Sequence, residues 1–452
     1  MQAKQFVKER LEKSYSVFHA VKNREEELEK AGYTKLKEDF PFHIEKGGKY
    51  FVERNQTAII AFRIPSSYDG LSFQISATHN DSPSFKIKPN PVLHYKNLIL
   101  LNTEPYGGGI YNTWMDRPLS FAGRVRVKSK DRIESRLLNI DEDLLTIPNL
   151  AIHFNRTINT SRNYNPAKDR IPLLGMGDES FDFHAFLAKK LNLNKEETVL
   201  SHDLFLYSRV KPCFLGRNKE FLSSPRLDDL SSAYSALYGF LNAKENKAVD
   251  VFASFDNEEV GSLTKQGANS TFLKDVLERI VFALDGSLDE LKQALSASSL
   301  FSIDNAHANH PNYPEISDKT TDVERNKGIV VKSNANQSYT SDAFSIAVFK
   351  AIAEKAGVNY QYFTNRSDLR GGSTLGNLSN SEVSLTAVDI GLAQLARHSS
   401  TELCGSEDIN SMAKLMETYF SSTLSITLDS ISRKYYSILE RGCLGSPILF
   451  GR

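Results

Sequence analysis

The chain has 452 residues, more than one typical hydrophobic core accommodates, so two domains are expected. Its 55 Lys and Arg residues balance its 55 Asp and Glu residues, which gives no electrostatic reason to expect nucleic acid or an anionic membrane as a partner. With 40% hydrophobic and 24% charged residues, the composition is that of an ordinary soluble globular protein.

The number and spacing of the cysteines, and the lack of long apolar runs, indicate the cellular compartment. The three cysteines (Cys213, Cys404 and Cys443) are too few and too widely spaced for a disulfide framework or a Cys-based zinc site, which favours a reducing compartment. The first thirty residues have a helical period but no apolar signal core, and no apolar run approaches the length that spans a bilayer. We therefore expect a cytoplasmic protein.

Two strands are predicted early in the chain, over Ala58–Ile64 and Phe73–Thr78. The second strand runs directly into His79-Asn80-Asp81. In a His-x-Asp pattern the histidine can bind a metal ion while a nearby carboxylate orients its imidazole ring. A surface loop with a capping aspartate explains the same residues, and the pattern alone leaves both interpretations open.

The character of the sequence changes between about Pro91 and Ser223. Short β-like runs dominate there: Leu98–Leu101, Phe121–Val127 and Leu150–Phe154. We therefore predict an inserted, mostly β domain over residues 91–223, with an α/β pattern in residues 1–90 and 224–452. The segment Tyr106-Gly107-Gly108-Gly109 lacks the Lys-Ser/Thr and helix of a phosphate loop, so it predicts a turn.

Beyond this insertion, acidic residues follow predicted α/β elements. Asp228 stands just before an apolar-periodic helix, where helix capping is the simple explanation. Glu258 and Glu259 follow the apolar run Val251–Phe255, which predicts a buried strand. Adjacent carboxylates there repel each other unless a cation neutralises them or one is protonated. They suggest a metal site in which one glutamate binds and the other handles a proton; a solvated loop is the alternative.

Further elements complete the α/β pattern. They are a helix-like region over Leu263–Ala283, strands over Leu300–Ile303, Ile329–Val331, Tyr360–Phe363 and Ser384–Val388, and a long amphipathic helix from about Ser406. Asp304 follows one of these strands, and His398 follows another after a short segment. Ligands in α/β proteins bind at the carboxyl ends of strands. The two histidines and three carboxylates fit two zinc-like ions that share one carboxylate, a centre that can polarise a carbonyl. The spare glutamate would be the general base.

Several segments together resemble a known family. They are Ala77–Pro83, Tyr106–Gly109, Thr113–Arg117, Pro148–His153, Pro225–Asp228, Asp256–Ser262, Asp304–Tyr313, Asp389–Gly391 and His398–Ser399. They are similar to the corresponding segments of the aspartyl aminopeptidase family of dinuclear zinc metallopeptidases. The similarity covers nearly the whole chain, and Asp256–Gly261 and Ala306–Tyr313 are its most specific parts.

The resemblance assigns a role to each metal ligand. It implies that Asp228 bridges two ions, that Glu259 and His398 complete one metal site, and that His79 and Asp304 complete the other. The implied cofactors are two divalent ions per subunit, zinc in the first place, with cobalt or manganese as alternatives.

The resemblance also assigns catalytic and substrate-binding residues. Glu258 would be the general base, with Asp81 orienting His79. The implied substrate-binding residues are Lys332, Tyr339 and Gly372. Without the resemblance, Lys332 would be read as a solvated surface lysine, and a plain turn explains Gly371–Thr374.

The implied fold is an α/β metallopeptidase domain, with a central mixed sheet flanked by helices, that carries an inserted β-rich dimerisation domain. The implied assembly is a homo-oligomer built from dimers, typically a dodecamer. His153 would reach from the inserted domain into the active site of the partner subunit, although the sequence alone favours an ordinary strand histidine. The implied reaction releases N-terminal Asp or Glu from peptides.

Three residues depart from the family pattern, which usually has Thr at Asn80, Asn at Asp229 and Met at Arg397. None replaces a ligand, but all flank ligands, so metal affinity and substrate preference are open. A dinuclear deacylase, or an aminopeptidase of non-acidic specificity, is the related alternative. A non-catalytic assembly or receptor protein is disfavoured, because it would have no need of Glu258 beside its ligands.

Overall fold

The computed structural model describes residues 1–369, 371–372, 374–424, 426–427 and 430–431. Ser373, within the predicted Gly371–Thr374 turn, and Cys443 lie outside the described residues. Within these ranges, no helix combines the length and apolar character needed to cross a membrane.

The described ranges contain nine α-helices and a larger number of short strands. The helices are α1 (Ala3–Lys13), α2 (Val17–Lys30), α3 (Phe183–Lys190), α4 (Leu227–Asn242), α5 (Phe272–Ala283), α6 (Leu288–Ser296), α7 (Ala343–Ala356), α8 (Leu375–Val383) and α9 (Ser406–Phe420). The strands before α4 are β1 (Thr34–Leu36), β2 (Lys49–Arg54), β3 (Ala58–Arg63), β4 (Phe73–His79), β5 (Ser84–Tyr95), β6 (Leu98–Tyr106), β7 (Leu119–Ser129), β8 (Arg132–Asn139), β9 (Leu173–Met176), β10 (Glu197–Ser208), β11 (Cys213–Leu215) and β12 (Phe221–Ser224). The strands after α4 are β13 (Val249–Phe255), β14 (Ser299–Ile303), β15 (Ala306–His307), β16 (Ile329–Lys332), β17 (Tyr360–Phe363), β18 (Thr386–Gly391), β19 (Ala393–Leu395), β20 (Glu402–Gly405), β21 (Ile426–Thr427) and β22 (Ser430–Ile431).

The central feature is a nine-stranded mixed sheet in the order β1-β2-β3-β13-β4-β14-β18-β16-β17. Its four middle strands, β13, β4, β14 and β18, run parallel to one another. Because parallel strands end at the same edge, the segments that follow them are brought together there. This edge carries the candidate site.

Helices cover both faces of this sheet. Side chains alternate along each strand, so Ile60 and Phe62 of β3 pack with α5, α6 and α8, whereas Ile59 and Ala61 pack with α1, α2, α4, α7 and α9. Strands β3, β4 and β13 are fully buried, as expected for strands covered on two faces. Strand β3 is almost continuously apolar, whereas β4 also buries Gln74, Ser76 and Thr78. The predicted α/β fold class, with a central mixed sheet flanked by helices, is confirmed.

A second sheet of six strands, in the order β8-β7-β10-β5-β6-β9, has its own apolar core with α3 packed against it. It begins at Ser84, before the predicted boundary at residue 91. Strand β12 lies inside the predicted range 91–223 but pairs with β20 in a separate five-stranded sheet. Within this second sheet, β7 pairs antiparallel with both β10 and β8.

Two helical regions differ from what their sequence pattern indicated. The first thirty residues form two helices, since Ser14 ends α1 and bonds the hydroxyl of Tyr234, and Ser16 begins α2 in an extended conformation. Helix α5 begins only at Phe272, because the Gly- and Ser-containing segment before it makes successive turns.

The prediction of a strand over Leu150–Phe154 is wrong. The chain turns there, with the Phe154 N–H donating to the Ala151 carbonyl at 2.9 Å, and the side chains are exposed. The apolar residues that suggested a strand have no partner strand within the described part of this chain. Leu150, Ile152 and Phe154 are instead 52%, 53% and 79% exposed.

Candidate metal centre

The predicted ligands converge at the carboxyl edge of the central sheet. His79 is the last residue of β4, Glu259 lies in a short 3₁₀ turn after β13, and Asp304 directly follows β14. Asp228 lies in the first turn of α4, with backbone angles that are not helical, and His398 follows β19. Strand pairing aligns these ends, since Phe255 lies opposite His79 and the Asn80 N–H donates to the Phe255 carbonyl at 2.8 Å.

Two three-residue groups share Asp228. The His79 Nε2 atom lies 3.5 Å from Asp228 Oδ1 and 3.7 Å from Asp304 Oδ1. The His398 Nε2 atom lies 3.3 Å from Asp228 Oδ2 and 3.4 Å from Glu259 Oε2. A tetrahedral zinc ion with ligands at about 2.0–2.1 Å separates them by about 3.4 Å. In each group the three ligand atoms lie within 4.8 Å of one another.

Several buried side-chain atoms at this edge lack hydrogen-bond partners and could bind a cation. Across the described ranges, buried ligand-type atoms of four predicted ligands have no hydrogen-bond partner: His79 Nε2, Asp228 Oδ1, Glu259 Oε1 and His398 Nε2. Buried polar atoms in folded proteins are normally paired, and unpaired ones call for an explanation such as an ion. His79 Nδ1 faces the Asp81 carbonyl at 3.1 Å and His398 Nδ1 faces the Gly108 carbonyl at 3.0 Å, so both rings can keep Nε2 free for a metal.

Burial makes the carboxylates of Glu258 and Glu259 resist ionisation, and their basic neighbours do not offset it. Burial raises the pKa of Glu258 to about 7, and Asp304 and Asp81 add to the rise. Burial, with the charge of Asp228, likewise places the pKa of Glu259 well above its usual range. Like charges gathered in a buried site shift in this way unless a cation offsets them. The centre is therefore short of positive charge.

Two carboxylates already have cationic partners within the chain. Burial opposes ionisation of Asp304, but Arg397 and Lys332 outweigh it and lower its pKa to about 2. Burial is likewise outweighed at Asp228, where Arg397, followed by His398 and His79, holds the pKa well below its usual range. Arg397 thus contacts two of the predicted ligands, a role that the sequence did not indicate.

Asp81 ties three segments of the site together. Its carboxylate accepts the Glu258 N–H at 3.2 Å, the Glu259 N–H at 3.1 Å and the Tyr106 hydroxyl at 2.7 Å. Its Oδ1 atom also lies 3.4 Å from His79 Nδ1. Asp81 is 3% exposed, which rules out the surface-loop interpretation of His79-Asn80-Asp81.

Two further features of the site were missed by sequence reasoning. Gly107 has a φ of +70°, and a Cβ there would lie 3.1 Å from the Glu259 Cβ, so the predicted turn lies directly against the centre. Buried Glu402 accepts the Asp228 N–H at 2.9 Å and the His398 N–H at 2.6 Å, which fixes the backbone of both residues. The position of Glu402, four residues after His398 and at the start of a strand, did not indicate that its side chain would hold the backbone of two predicted ligands.

A cavity of about 180 Å³ opens beside the centre. Glu258 lines it, together with Tyr339 and Gly372 from the predicted substrate-binding set. Lys332 lies behind this lining, 1% exposed, with Nζ 3.2 Å from Asp304 Oδ2 and 5.4 Å from the centre of the Tyr339 ring. His153 is exposed in the Ala151–Phe154 turn and does not line the described cavity of its own chain.

Histidines and carboxylates at the carboxyl ends of parallel strands, beside a cavity, define the α/β class of metal-dependent hydrolase. The family model described as Aminopeptidase I zinc metalloprotease (M18) matches residues 10–420, and the chain belongs to this family. It is therefore a zinc metallopeptidase with aminopeptidase activity, a hydrolase.

Known proteins are similar to this chain over nearly its full length. The chain is 45% identical over 414 residues to a probable M18 family aminopeptidase 2 of Clostridium acetobutylicum, covering 90% of this chain and 96% of that protein. A cryo-EM structure of the Ape4 and Nbr1 complex matches with a TM-score of 0.88 and 35% identity, over 93% of this chain and 85% of that one. The mApe1 dodecamer of S. cerevisiae matches with a TM-score of 0.82 and 25% identity, over 98% of this chain and 99% of that one.

Proposed function

We propose that this chain is a dinuclear metal aminopeptidase that releases acidic N-terminal residues, Asp or Glu, with Glu258 as the general base. The observation that carries the proposal is the pair of three-ligand groups sharing Asp228 at one edge of the parallel sheet. His79 and Asp304 would hold one ion, Glu259 and His398 the other, and Asp228 both. Two ions in such a centre supply Lewis-acid polarisation of the scissile carbonyl and a lowered pKa for a water molecule.

Glu258 performs the proton transfer in this proposal. Its carboxylate lines the cavity beside the ligands. Glu258 also lies within ligand spacing of His79 and Glu259, and the proposal assigns it to the proton rather than to an ion. It takes a proton from the attacking water and passes that proton to the nitrogen of the leaving peptide as the C–N bond breaks. Asp81 holds the backbone of Glu258 and Glu259 through two N–H donors, so it sets the position of base and ligand together.

The cavity beside the ligands would receive the N-terminal residue of the peptide. Its lining carries the carboxylates of Glu258, Glu259 and Asp304 together with the basic side chains of Arg397 and His398. Lys332 would read the acidic side chain from behind this lining, with Tyr339 and the Gly372 backbone as further contacts.

A homo-oligomer built from dimers is part of the proposal, with a dodecamer as the expected assembly. The dodecamer of the S. cerevisiae relative supports it, as do the exposed apolar side chains of Leu150, Ile152 and Phe154, a kind of patch that partners commonly cover. The proposed division assigns residues 1–90 and 224–452 to the catalytic domain and 91–223 to an inserted dimerisation domain. A cytoplasmic location is supported by the free thiols of Cys213 and Cys404.

The test combines metal analysis with a substrate panel. Peptides that begin with Asp, Glu, Leu or Lys would be offered to the purified protein with added zinc, cobalt or manganese, alongside N-acetylated counterparts. We expect two ions per subunit and fastest release of Asp or Glu from free N-termini. Faster cleavage of the acetylated peptides would identify a deacylase, and an absence of turnover would remove the catalytic proposal.

Replacing Lys332 by Met is expected to slow cleavage of Asp- and Glu-terminated peptides more than that of Leu-terminated peptides. A charge-assisted hydrogen bond to the substrate carboxylate is lost, and it is worth about 1.5–3 kcal/mol, or roughly tenfold to a hundredfold in kcat/KM. Lys332→Arg, which keeps the charge, is the matched control and should retain more of the acidic preference. Equal losses on all three substrates would show that Lys332 only holds Asp304 in place.

A further inference from the structure

The guanidinium group of Arg397 lies on the candidate metal centre itself. Its Nε donates to Asp228 Oδ2, and its Nη2 donates to Asp304 Oδ1 at 2.7 Å. Asp304 Oδ1 is the atom that faces His79, and Asp228 Oδ2 is the atom that faces His398. One planar cation therefore contacts a ligand atom from each of the two three-residue groups.

This position is fixed by the surrounding backbone. The third donor of Arg397, Nη1, gives a hydrogen bond to the Asn305 carbonyl at 2.7 Å. Asn305 is itself held, because its side-chain amide donates to Leu227 O at 2.8 Å and to Gln394 Oε1 at 2.6 Å. The side chain of Arg397 is 16% exposed, so its contacts are those of an enclosed group rather than of a surface arginine.

The positive charge of Arg397 affects how these carboxylates can bind a metal ion. Arg397 and a metal ion would bind the same carboxylate oxygens, and an arginine stays protonated at every accessible pH. Without an ion, the guanidinium offsets the charge of Asp228 and Asp304, and an enclosed pair of this kind is strongly destabilised when one partner is removed. An ion on the same oxygens would place a second positive charge beside the guanidinium, and the two cations repel each other. If the guanidinium has to move before an ion binds, the apparent affinity is reduced to the fraction of molecules in which it has moved.

We propose that Arg397 is an internal counter-cation of the metal-free centre, and that entering ions displace its guanidinium from Asp228 and Asp304. The proposal rests on the proposed function, since it assumes that these carboxylates bind metal. Arg397 then stabilises the metal-free form while weakening metal binding. The enzyme binds its ions only when the concentration of free metal ions is high enough to displace the guanidinium. The fraction of metal-bound enzyme therefore depends on the available metal.

The test compares zinc binding by chelator-treated wild-type protein and Arg397→Met, using a competing zinc-binding dye and a thermal melt. Met is long and uncharged, so it removes the competitor with little loss of volume. We expect zinc to bind at least about tenfold more tightly to the variant, because the displaced state is gone. The metal-free variant should also melt at a lower temperature than metal-free wild type. If metal-free Arg397→Met does not stay folded, Arg397→Gln and a zinc-loaded sample titrated with chelator give the same comparison.

Two controls separate the possible outcomes. Arg397→Lys keeps the charge but cannot reach all three acceptors, so its zinc affinity should fall between the other two. Arg136→Met, on β8 of the second sheet, removes a remote arginine and should leave zinc affinity unchanged. Unchanged or weaker zinc binding by Arg397→Met would overturn the proposal.

Asp228→Asn distinguishes this failure from failure of the centre, since it should lose zinc if Asp228 is a shared ligand. Loss of zinc by Asp228→Asn together with unchanged binding by Arg397→Met would reject the role of Arg397 alone. Normal zinc binding by Asp228→Asn would reject the metal centre as well.

Discussion

Glu258→Gln is expected to lower kcat by roughly a hundredfold or more while leaving both metal ions in place. Glutamine preserves the shape of the side chain but cannot accept a proton from the attacking water. The Glu258 backbone N–H bond to Asp81 is untouched, so the adjoining Glu259 keeps its position. Turnover with an Asp-terminated peptide and metal content by elemental analysis are the two measurements.

The neighbouring residue supplies the matched control. Glu259→Gln makes the same chemical change one position along, in a residue whose Oε2 lies 3.4 Å from His398 Nε2. It should lose metal, whereas Glu258→Gln should not. Near-normal turnover by Glu258→Gln would mean that another group is the base. Loss of metal by both variants would mean that both glutamates bind ions.

His153→Ala is expected to lower kcat by about a hundredfold to a thousandfold without loss of metal or assembly. His153 is exposed in its own chain, so its proposed role is to donate a hydrogen bond to the developing oxyanion in the partner subunit. Removing one such donor costs about 3–4 kcal/mol of transition-state stabilisation. Turnover, metal content and the size of the assembly by light scattering check the three parts of this expectation.

Mixing two inactive variants tests sharing of the site directly. A dimer of His153→Ala with Glu258→Gln has one site with an intact Glu258 served by an intact His153, so re-associated mixtures should regain activity. His94→Ala, an exposed histidine on β5 of the second sheet, is the control and should remain active. Mixtures that stay inactive, or a fully active monomer, would contradict the shared site.

The sequence by itself determined the segments from which the candidate site is built. Strands β13 and β14 are short, mostly apolar runs that read as buried strands, and acidic residues follow each of them. His79, Glu259 and Asp304 stand at such ends. Because ligands in α/β proteins bind at the carboxyl ends of strands, these positions indicated a site, and the resemblance to a known family assigned the individual ligands.

The tertiary structure alone decided which partners these side chains have. Arg397 contacts Asp228, 169 residues away in sequence, and Glu402 reaches the Asp228 N–H across 174 residues. Local periodicity carries no information on such pairs, since they depend on how separate loops pack at the sheet edge. The exposed turn at Leu150–Phe154 has the same origin, because an apolar run becomes a strand only where another strand offers it hydrogen bonds. Local chemistry therefore fixed the strand ends, and long-range packing fixed the charge balance around them.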